Sequence, residues 1–497
     1  SSTRGEDDGM SIDRLSALDR LMLWASRTWP QDIGALAVLD GGPLLDEAGR
    51  LRIEVVRDAV QRKLHLVPRF RQLIHQPRQG LGGPLWVDAP TLDLSHHVRE
   101  FRLEPPAGEA ELLVAVEQVL RQGLDPSRPL WEMWLLPGLP DRRIGLFVRI
   151  HHAMADGMAA MATVAALLDP APDSPPGAGP AWVPAPWPSA RALFADNLAR
   201  RLRTLARALA VLARPRATLR GMRAALPAIR EILAEEPATA TSLDRTVGPG
   251  RRLALIRTSL ARVKEVGRAH DATVNDVLLA ATAAGLSALL QRRGEPVEET
   301  TLRIYVPVSL RRRLRGPQQG NLIAQMAVPL RLGEADPDRR LTDLAAETST
   351  RKARVRTSLS NLMVGGAIGR RLMLLAVMRQ RVNATSASIP GPKEPLYLAG
   401  ARILDVYPLI PLVANEPLGV GALSYAGALT IGIAADRDAY PDLDVLTAAV
   451  RDQLRSLGLP AYPALDGDAP GCNRAFSEAS PSLEASRASL LPDRNGR

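Results

Sequence analysis

The sequence predicts an α/β fold in two halves, and three observations support this. Helix-like and strand-like hydrophobic patterns alternate from residue 11 to about 168 and again from residue 251. A proline-rich stretch and a helical segment rich in Ala, Leu and Arg lie between them. At 497 residues and 46% hydrophobic composition, the chain is long enough for two or three cores. We therefore expect two α/β domains joined by a helical connector.

The first domain is expected over residues 11–188, after a polar, acidic and disordered stretch at 1–10. Its predicted elements are a helix over 51–66, a strand over 141–150 and a helix over 157–168. Residues 169–188 contain eight prolines and can form neither a helix nor a central strand. They form a linker, or a covering loop if Trp182 and Trp187 pack against the body.

The connector is expected over residues 189–250. Its apolar residues recur at spacings of three and four and form one stripe: Phe194, Leu198, Leu202, Leu205, Leu209 and Leu212. Arginines surround that stripe at Arg200, Arg201, Arg203, Arg207 and Arg214. Two interpretations stay open. The segment is either a connecting helix with a solvated basic face or an amphipathic helix that lies on an anionic membrane.

The second domain is expected over residues 251–459, and residues 460–497, rich in Ser, Pro, Gly and Asp, are expected to be disordered. Its predicted elements are strands over 253–259, 303–308, 325–332 and 429–434, and helices over 260–269 and 274–291. The most apolar run, 277–290, is interrupted by polar residues and glycine, so it predicts a buried helix and not a membrane span.

The net charge and the amino-acid composition limit the classes of partner that the chain is expected to bind. The net charge of +10 attracts phosphates, but the 4% aromatic content leaves few stacking platforms for nucleic acid. Lipid or an anionic cofactor is therefore the expected partner. The single cysteine, Cys472, allows no internal disulfide, and no secretion signal is visible, so we expect a cytoplasmic protein. The oligomeric state is not predicted.

The pattern His-His-x-x-x-Asp-Gly at residues 151–157 follows an apolar strand, and it holds two of only seven histidines. Histidine is the usual side chain for moving a proton at neutral pH. Neighbouring residues on an extended segment point to opposite sides, so one ring can face a cavity while the other supports it. The same geometry disfavours a shared metal ion, and no metal site is expected. Both rings could also be core residues, as we expect for His96 and His97, to which we assign no catalytic role.

Several motifs in order resemble the bacterial bifunctional wax ester synthase/diacylglycerol acyltransferases of the CoA-dependent acyltransferase superfamily. The resemblance runs from Leu15 to about Leu459. Its landmarks are Pro129-Leu130-Trp131, His151 to Gly157, Asn275-Asp276-Val277, Val306 to Arg311, Pro390-Gly391-Pro392 and Leu423 to Gly427. It implies two chloramphenicol-acetyltransferase-like domains with an active-site tunnel at their interface.

The resemblance also implies roles for the motif. His152 would be the general base that takes the proton of an alcohol, with His151 as its inward, structural neighbour. Asp156 would either orient His152 or pair with an arginine, for which Arg311 is a candidate. Gly157 would supply backbone freedom or leave room for substrate.

Two further landmarks have both a packing and a binding interpretation. Asp276 follows Thr273 by three residues, which is a capping-box spacing, and Asn275 with Asp276 would matter for activity if this helix start faces the tunnel. The residues Pro129, Leu130 and Trp131 would be core, or part of the wall of a substrate pocket.

The implied reaction is acyl transfer from long-chain acyl-CoA to diacylglycerol, and possible transfer to a fatty alcohol, with acyl-CoA as a substrate and no cofactor. Rival hypotheses are a related enzyme that uses a carrier-bound donor and a non-catalytic lipid-binding protein. The basic connector would dock on an anionic membrane or lipid droplet, at the inner face of the membrane.

Overall fold

The computed structural model describes residues 12–104, 106–155, 157–175, 177, 179, 181–212, 238–309, 323–358, 382–462 and 465. The described helices are α1 (Ala17–Ala25), α2 (Ile53–Lys63), α3 (Leu94–His97), α4 (Glu109–Arg121), α5 (Gly157–Ala165), α6 (Ala190–Leu212), α7 (Leu260–Ala269), α8 (Val274–Arg292), α9 (Pro337–Ser358) and α10 (Leu443–Ser456). The described strands are β1 (Asp32–Asp40), β2 (Gln72–His75), β3 (Leu85–Asp88), β4 (Val98–Glu100), β5 (Trp131–Pro137), β6 (Arg143–His151), β7 (Arg251–Ser259), β8 (Thr301–Ser309), β9 (Ile323–Arg331), β10 (Ala384–Pro390), β11 (Tyr397–Leu398), β12 (Ala401–Leu409), β13 (Leu418–Tyr425) and β14 (Ala428–Asp436).

Two six-stranded sheets form the frame of the molecule. The N-terminal sheet has the strand order β11-β12-β1-β6-β5-β4, and the C-terminal sheet has the order β7-β14-β13-β10-β8-β9. Helix α2 packs on one face of the N-terminal sheet, while α4 and part of the C-terminal sheet pack on the other. Helices α8 and α10 cover the C-terminal sheet. The predicted α/β fold in two halves is therefore confirmed.

Strand β12 departs from the predicted domain boundaries. It pairs with β1, from Gly34 opposite Leu409 to Leu39 opposite Ile403. Residues 397–409 thus complete the N-terminal sheet, although they fall inside the domain predicted over 251–459. No strand was predicted there, and a local hydrophobic pattern does not specify the partner of a strand.

The crossing of β12 over the C-terminal sheet depends on glycines. A Cβ atom at Gly421 would lie 2.9 Å from the carbonyl oxygen of Pro408, and one at Gly432 would overlap that oxygen. Glycine is therefore required where the two backbones approach each other.

Helix α8 is the core helix that the sequence predicts over residues 274–291. Among the described residues it is the one helix long and apolar enough to cross a bilayer, and most of its side chains are buried inside the protein. The predicted strands over 253–259, 303–308, 325–332 and 429–434 are confirmed as β7, β8, β9 and β14, with ends shifted by one or two residues.

The proline-rich segment packs as a covering loop. The indole N–H of Trp187 donates to the carbonyl oxygen of Asp88 at 2.8 Å, and the guanidinium of Arg71 lies 5.1 Å from the ring centre of Trp182. These contacts hold the loop on the hairpin of β2 and β3.

The predicted disorder from residue 460 is wrong at its start. Tyr462 forms a two-way backbone bridge with Arg257, with N–O distances of 2.9 and 3.0 Å, and Ala461 is buried. This strand-like pairing extends the sheet edge by one residue. Residues 1–10 and 466–497 lie outside the described part of the chain.

Candidate active site

Strand β6 carries the histidine pair to the boundary between the two halves. His151 is the last residue of β6 and lies opposite Asp32 of β1. The backbone N–H of His151 donates to the carbonyl oxygen of Leu130 at 3.0 Å, and the backbone N–H of His152 donates to the backbone carbonyl oxygen of Gln31 at 2.8 Å. Neighbouring segments on both sides thus fix the backbone from which the two imidazoles project.

His151 is the inward member of the pair. Its side chain is buried, and its Nδ1 accepts the backbone N–H of Ala153 at 3.0 Å. The proton must therefore sit on Nε2, which donates to the hydroxyl of Ser26 at 2.7 Å, and that hydroxyl donates in turn to the carbonyl oxygen of Met22 at 2.9 Å. Burial, with a smaller contribution from His152, lowers the pKa of His151 to about 4. His151 is therefore neutral at physiological pH.

The lowered pKa of His151 predicts a loss of stability in acid. In the unfolded chain the His151 imidazole takes up a proton near pH 6.5, whereas in the folded chain it does so only near pH 4. The folded state therefore keeps its full stability above pH 6.5 and loses stability as the pH falls from 6.5 to 4. The free energy of unfolding, measured by urea titration, should fall by about 2–3 kcal/mol more in the wild type than in His151→Gln between pH 7 and 4.5.

In the comparison with His151→Gln, the contributions of the other groups that titrate in this pH range cancel. Burial raises the pKa of Asp32 and Asp405 to about 6 and that of Glu416 to about 7, and these groups stabilise the folded chain as the pH falls. All three are common to both proteins. Equal pH dependence in wild type and variant would contradict the assigned burial of a neutral His151.

His152 begins the turn that links β6 to α5. Its side chain is half-buried, and α5 starts at Gly157. A Cβ atom added at Gly157 would lie 3.5 Å from the Ile389 side chain, an ordinary contact. The two roles for Gly157, backbone freedom and room for substrate, stay predictions. Asp156 and Arg311 lie outside the described residues, so both roles for Asp156 stay predictions.

The histidine loop (residues 151–157) shares a hydrophobic cluster with the C-terminal sheet. Met154 and Ala155 belong to the same hydrophobic cluster as Ile389 of β10 and as Leu423 and Tyr425 of β13. The histidine pair therefore lies where the two sheets meet. This is where the resemblance places the active site.

A buried ion-pair network, which the sequence did not lead us to expect, lies beneath His151. Arg149 is only 1% exposed, and its guanidinium lies 2.7 Å from the Glu132 carboxylate and 3.4 Å from that of Asp32. It also donates to the carbonyl oxygen of Val119 at 3.1 Å, at the end of α4. Arg149 precedes His151 by two residues, so both side chains lie on the same face of the sheet.

The charges in this network are only partly compensated, as the pKa of Asp32 shows. Burial raises the pKa of Asp32 to about 6, Arg149 opposes that rise, and Glu132 adds to it. One arginine thus compensates the buried Asp32 carboxylate and the partly buried Glu132 carboxylate next to the histidine loop. The one sequence feature that could have indicated this network is Arg149, a charged residue within an apolar run.

The Pro129-Leu130-Trp131 motif is buried beside this strand. Trp131 is fully buried and stacks between Phe70 and His97, with centroid distances of 4.5 Å on each side. Its indole N–H donates to the carbonyl oxygen of Phe70 at 2.9 Å. These contacts are those of a core residue, and they match the packing interpretation. His96 and His97 both lie on the short helix α3, where His97 is buried but His96 is exposed, so the expectation of two core histidines holds only for His97.

Asp276 caps a helix. Its carboxylate accepts the backbone N–H of Thr273 at 2.8 Å and the hydroxyl of Thr348 at 2.7 Å. These bonds tie the start of α8 to α9 and not to the histidine loop. The side-chain nitrogen of Asn275 is buried and has no hydrogen-bond partner among the described residues. A role of Asn275 in substrate binding stays a prediction.

A narrow cleft opens between the two sheets on the Asp32 side of β1. Asp32 and Leu409 of the N-terminal sheet and Arg251 of the C-terminal sheet lie in its wall. The predicted active-site tunnel at the interface stays a prediction.

Solved structures share this two-sheet arrangement. The wax ester synthase/diacylglycerol acyltransferase from Marinobacter aquaeolei VT8 aligns with a TM-score of 0.63 at 25% identity, over 90% of this chain and 100% of that chain. The first condensation domain of the calcium-dependent antibiotic synthetase aligns with a TM-score of 0.58 at 17% identity, over 91% of this chain and 98% of that chain. The second likeness concerns the fold alone. The fold and the histidine motif together define an acyltransferase with two chloramphenicol-acetyltransferase-like domains.

Sequence comparisons give the family. The model of the wax ester synthase/diacylglycerol acyltransferase catalytic domain matches residues 15–278, and that of the WS/DGAT C-terminal domain matches residues 319–458. The Mycobacterium tuberculosis protein named "Probable diacyglycerol O-acyltransferase tgs1" is 30% identical over 446 residues, which cover 86% of this chain and 90% of the relative. A Mycobacterium bovis relative, also named as a diacylglycerol O-acyltransferase, is 32% identical over 469 residues, with 89% and 90% covered. The chain belongs to the wax ester synthase/diacylglycerol acyltransferase family and is an O-acyltransferase.

Proposed function

We propose that this enzyme transfers the acyl group of a long-chain acyl-CoA to the hydroxyl of diacylglycerol, with His152 as the general base. The observation that carries this proposal is the different environment of the two histidines. Both ring nitrogens of His151 bind the protein, through Ser26 and Ala153, and its low pKa makes it a weak base. Proton transfer within the pair therefore falls to His152, at the junction of the two sheets.

The proposed reaction needs one base that later acts as an acid. His152 takes the hydroxyl proton as the alcohol oxygen attacks the thioester carbon. The tetrahedral intermediate then collapses, the carbon–sulfur bond breaks, and the imidazolium returns the proton to the CoA thiolate. No acyl-enzyme forms, in keeping with the absence of a Gly-x-Ser-x-Gly sequence from the chain. Acyl-CoA is a substrate here, and no cofactor is required.

A fatty alcohol is the second acceptor that we propose, with a wax ester as product. Like diacylglycerol, it presents one hydroxyl on an apolar body, and the name of the family covers both products. The chemistry at His152 would be the same for both acceptors.

A product assay tests the donor and the acceptor together. The purified enzyme is given one labelled long-chain acyl group, either on free CoA or on a carrier protein, with diacylglycerol, a fatty alcohol or no acceptor. We expect labelled triacylglycerol from the CoA donor, and wax ester when the fatty alcohol replaces diacylglycerol. Turnover with the carrier-bound donor alone would overturn the proposed donor, and absence of both esters would overturn the proposed acceptors.

A further inference from the structure

The apolar stripe of helix α6 faces away from the protein. Its members are between 46% and 56% exposed: Phe194, Leu198, Leu202, Leu205 and Leu209. They follow one another at spacings of four, four, three and four residues. At about 100° per residue, the stripe occupies an arc of about 80° on one side of the helix.

The contacts that hold α6 lie on its other side. Leu193 is buried beside β3, Asp196 forms an ion pair with Arg14 at 2.6 Å, and the Asn197 amide donates to the carbonyl oxygen of Gly80 at 2.7 Å. On a helical projection these three residues centre about 150° from the stripe. The body therefore holds the first two turns of α6 with the apolar side outward.

The later turns of α6 extend beyond this anchor. From Arg200 to Leu209 every side chain that the structure describes is exposed. A helix owes most of its stability to the packing of an apolar face, and an uncovered row of five large apolar side chains is a feature of binding surfaces. The stripe is therefore a candidate surface for a partner.

The charge of the helix indicates what that partner is. Residues Ala190–Leu212 contain five arginines and one aspartate, a net charge of +4. A second copy of the same helix would bring two such charges together, whereas an anionic lipid surface offers acyl chains to the stripe and phosphates to the arginines.

We propose that α6 docks the enzyme on an anionic lipid surface. The stripe enters the boundary between headgroups and acyl chains, and the arginines remain at the level of the phosphates. This inference goes beyond the proposed function, because it depends on α6 and not on His152. It would place the enzyme at the apolar phase in which a lipid alcohol resides, on a membrane or a lipid droplet.

Vesicle co-sedimentation of the full chain tests the proposal, with vesicles of phosphatidylcholine with or without phosphatidylglycerol. We expect the wild type to bind the anionic vesicles. The variant Leu202→Gln/Leu205→Gln should bind them at least about tenfold more weakly, since each leucine leaves an apolar environment. The matched control Thr204→Gln/Ala208→Gln changes exposed residues outside the stripe and should bind like the wild type.

A charge variant separates the two contributions to binding. Arg201→Gln/Arg203→Gln should lose about tenfold or more of the preference for phosphatidylglycerol, since each surface arginine contributes about 1 kcal/mol. Activity towards a water-soluble short-chain alcohol, and the circular dichroism spectrum, should remain at wild-type level in all variants. Those two readouts distinguish a failure of docking from a failure of the proposed reaction.

Three results would overturn the proposal: no binding of the wild type to anionic vesicles, equal binding by the stripe variant, or a wild-type dimer that the stripe variant abolishes while neither protein binds vesicles. The last result would identify a second copy of the chain as the partner.

Discussion

Replacing His152 with alanine is expected to lower kcat of acyl transfer by about 10²- to 10⁴-fold, the range typical for loss of a general acid–base group. His152 follows β6 directly, in a loop whose Met154 and Ala155 belong to the same hydrophobic cluster as side chains of β10 and β13 in the other sheet. The fold should survive the substitution, because the backbone N–H of His152 keeps its bond to the carbonyl oxygen of Gln31. The measurement is steady-state turnover with acyl-CoA and diacylglycerol, together with the thermal midpoint of each protein.

The chain provides a matched control in its second histidine pair. His96 is about half exposed and lies 3.4 Å from Asp93 on the short helix α3. His96→Ala should keep full turnover. Calorimetric binding of acyl-CoA should be similar in both variants, since only proton transfer is removed from His152→Ala. Equal turnover of the wild type and His152→Ala would show that the proposed mechanism is wrong.

Hydrophobic periodicity and capping residues correctly predicted helices and strands whose formation depends on residues close together in the sequence. The run 274–291 and the Thr273–Asp276 spacing predicted a buried, capped helix, and the structure contains both the helix and its capping box. The apolar strand before the histidine pair likewise ends at His151, one residue beyond its predicted end. Periodicity and capping operate within a few residues of each other, so a single sequence displays them.

Features that depend on distant pairing could not be predicted in this way. No strand was predicted over residues 401–409, and the pairing of β12 with β1 is determined by the packing of the whole sheet. Arg149 was visible as an isolated charge in β6, but its partners Asp32 and Glu132 come from two other strands. The proposed partner of Asp156 is a long-range question of the same kind, and it lies outside the described residues.

Replacing Arg149 with methionine is expected to destabilise the fold by about 3–5 kcal/mol. The substitution keeps a long apolar side chain but leaves the buried Asp32 carboxylate and the partly buried Glu132 carboxylate without a compensating charge. It also removes the hydrogen bond to the carbonyl oxygen of Val119 at the end of α4. The measurement is the free energy of unfolding from urea titration at neutral pH.

Two further variants separate charge compensation from general packing. Arg262→Met breaks an exposed pair with Glu265 on α7, in which both side chains are more than half exposed, and should cost less than about 1 kcal/mol. The triple variant Arg149→Met/Asp32→Asn/Glu132→Gln removes all three charges and should recover most of the stability lost in the single variant. If the triple variant is no more stable than Arg149→Met, the loss comes from the contacts between Arg149 and α4 and not from uncompensated charge. In that case, the network behind the histidine loop supports the site through helix packing rather than electrostatics.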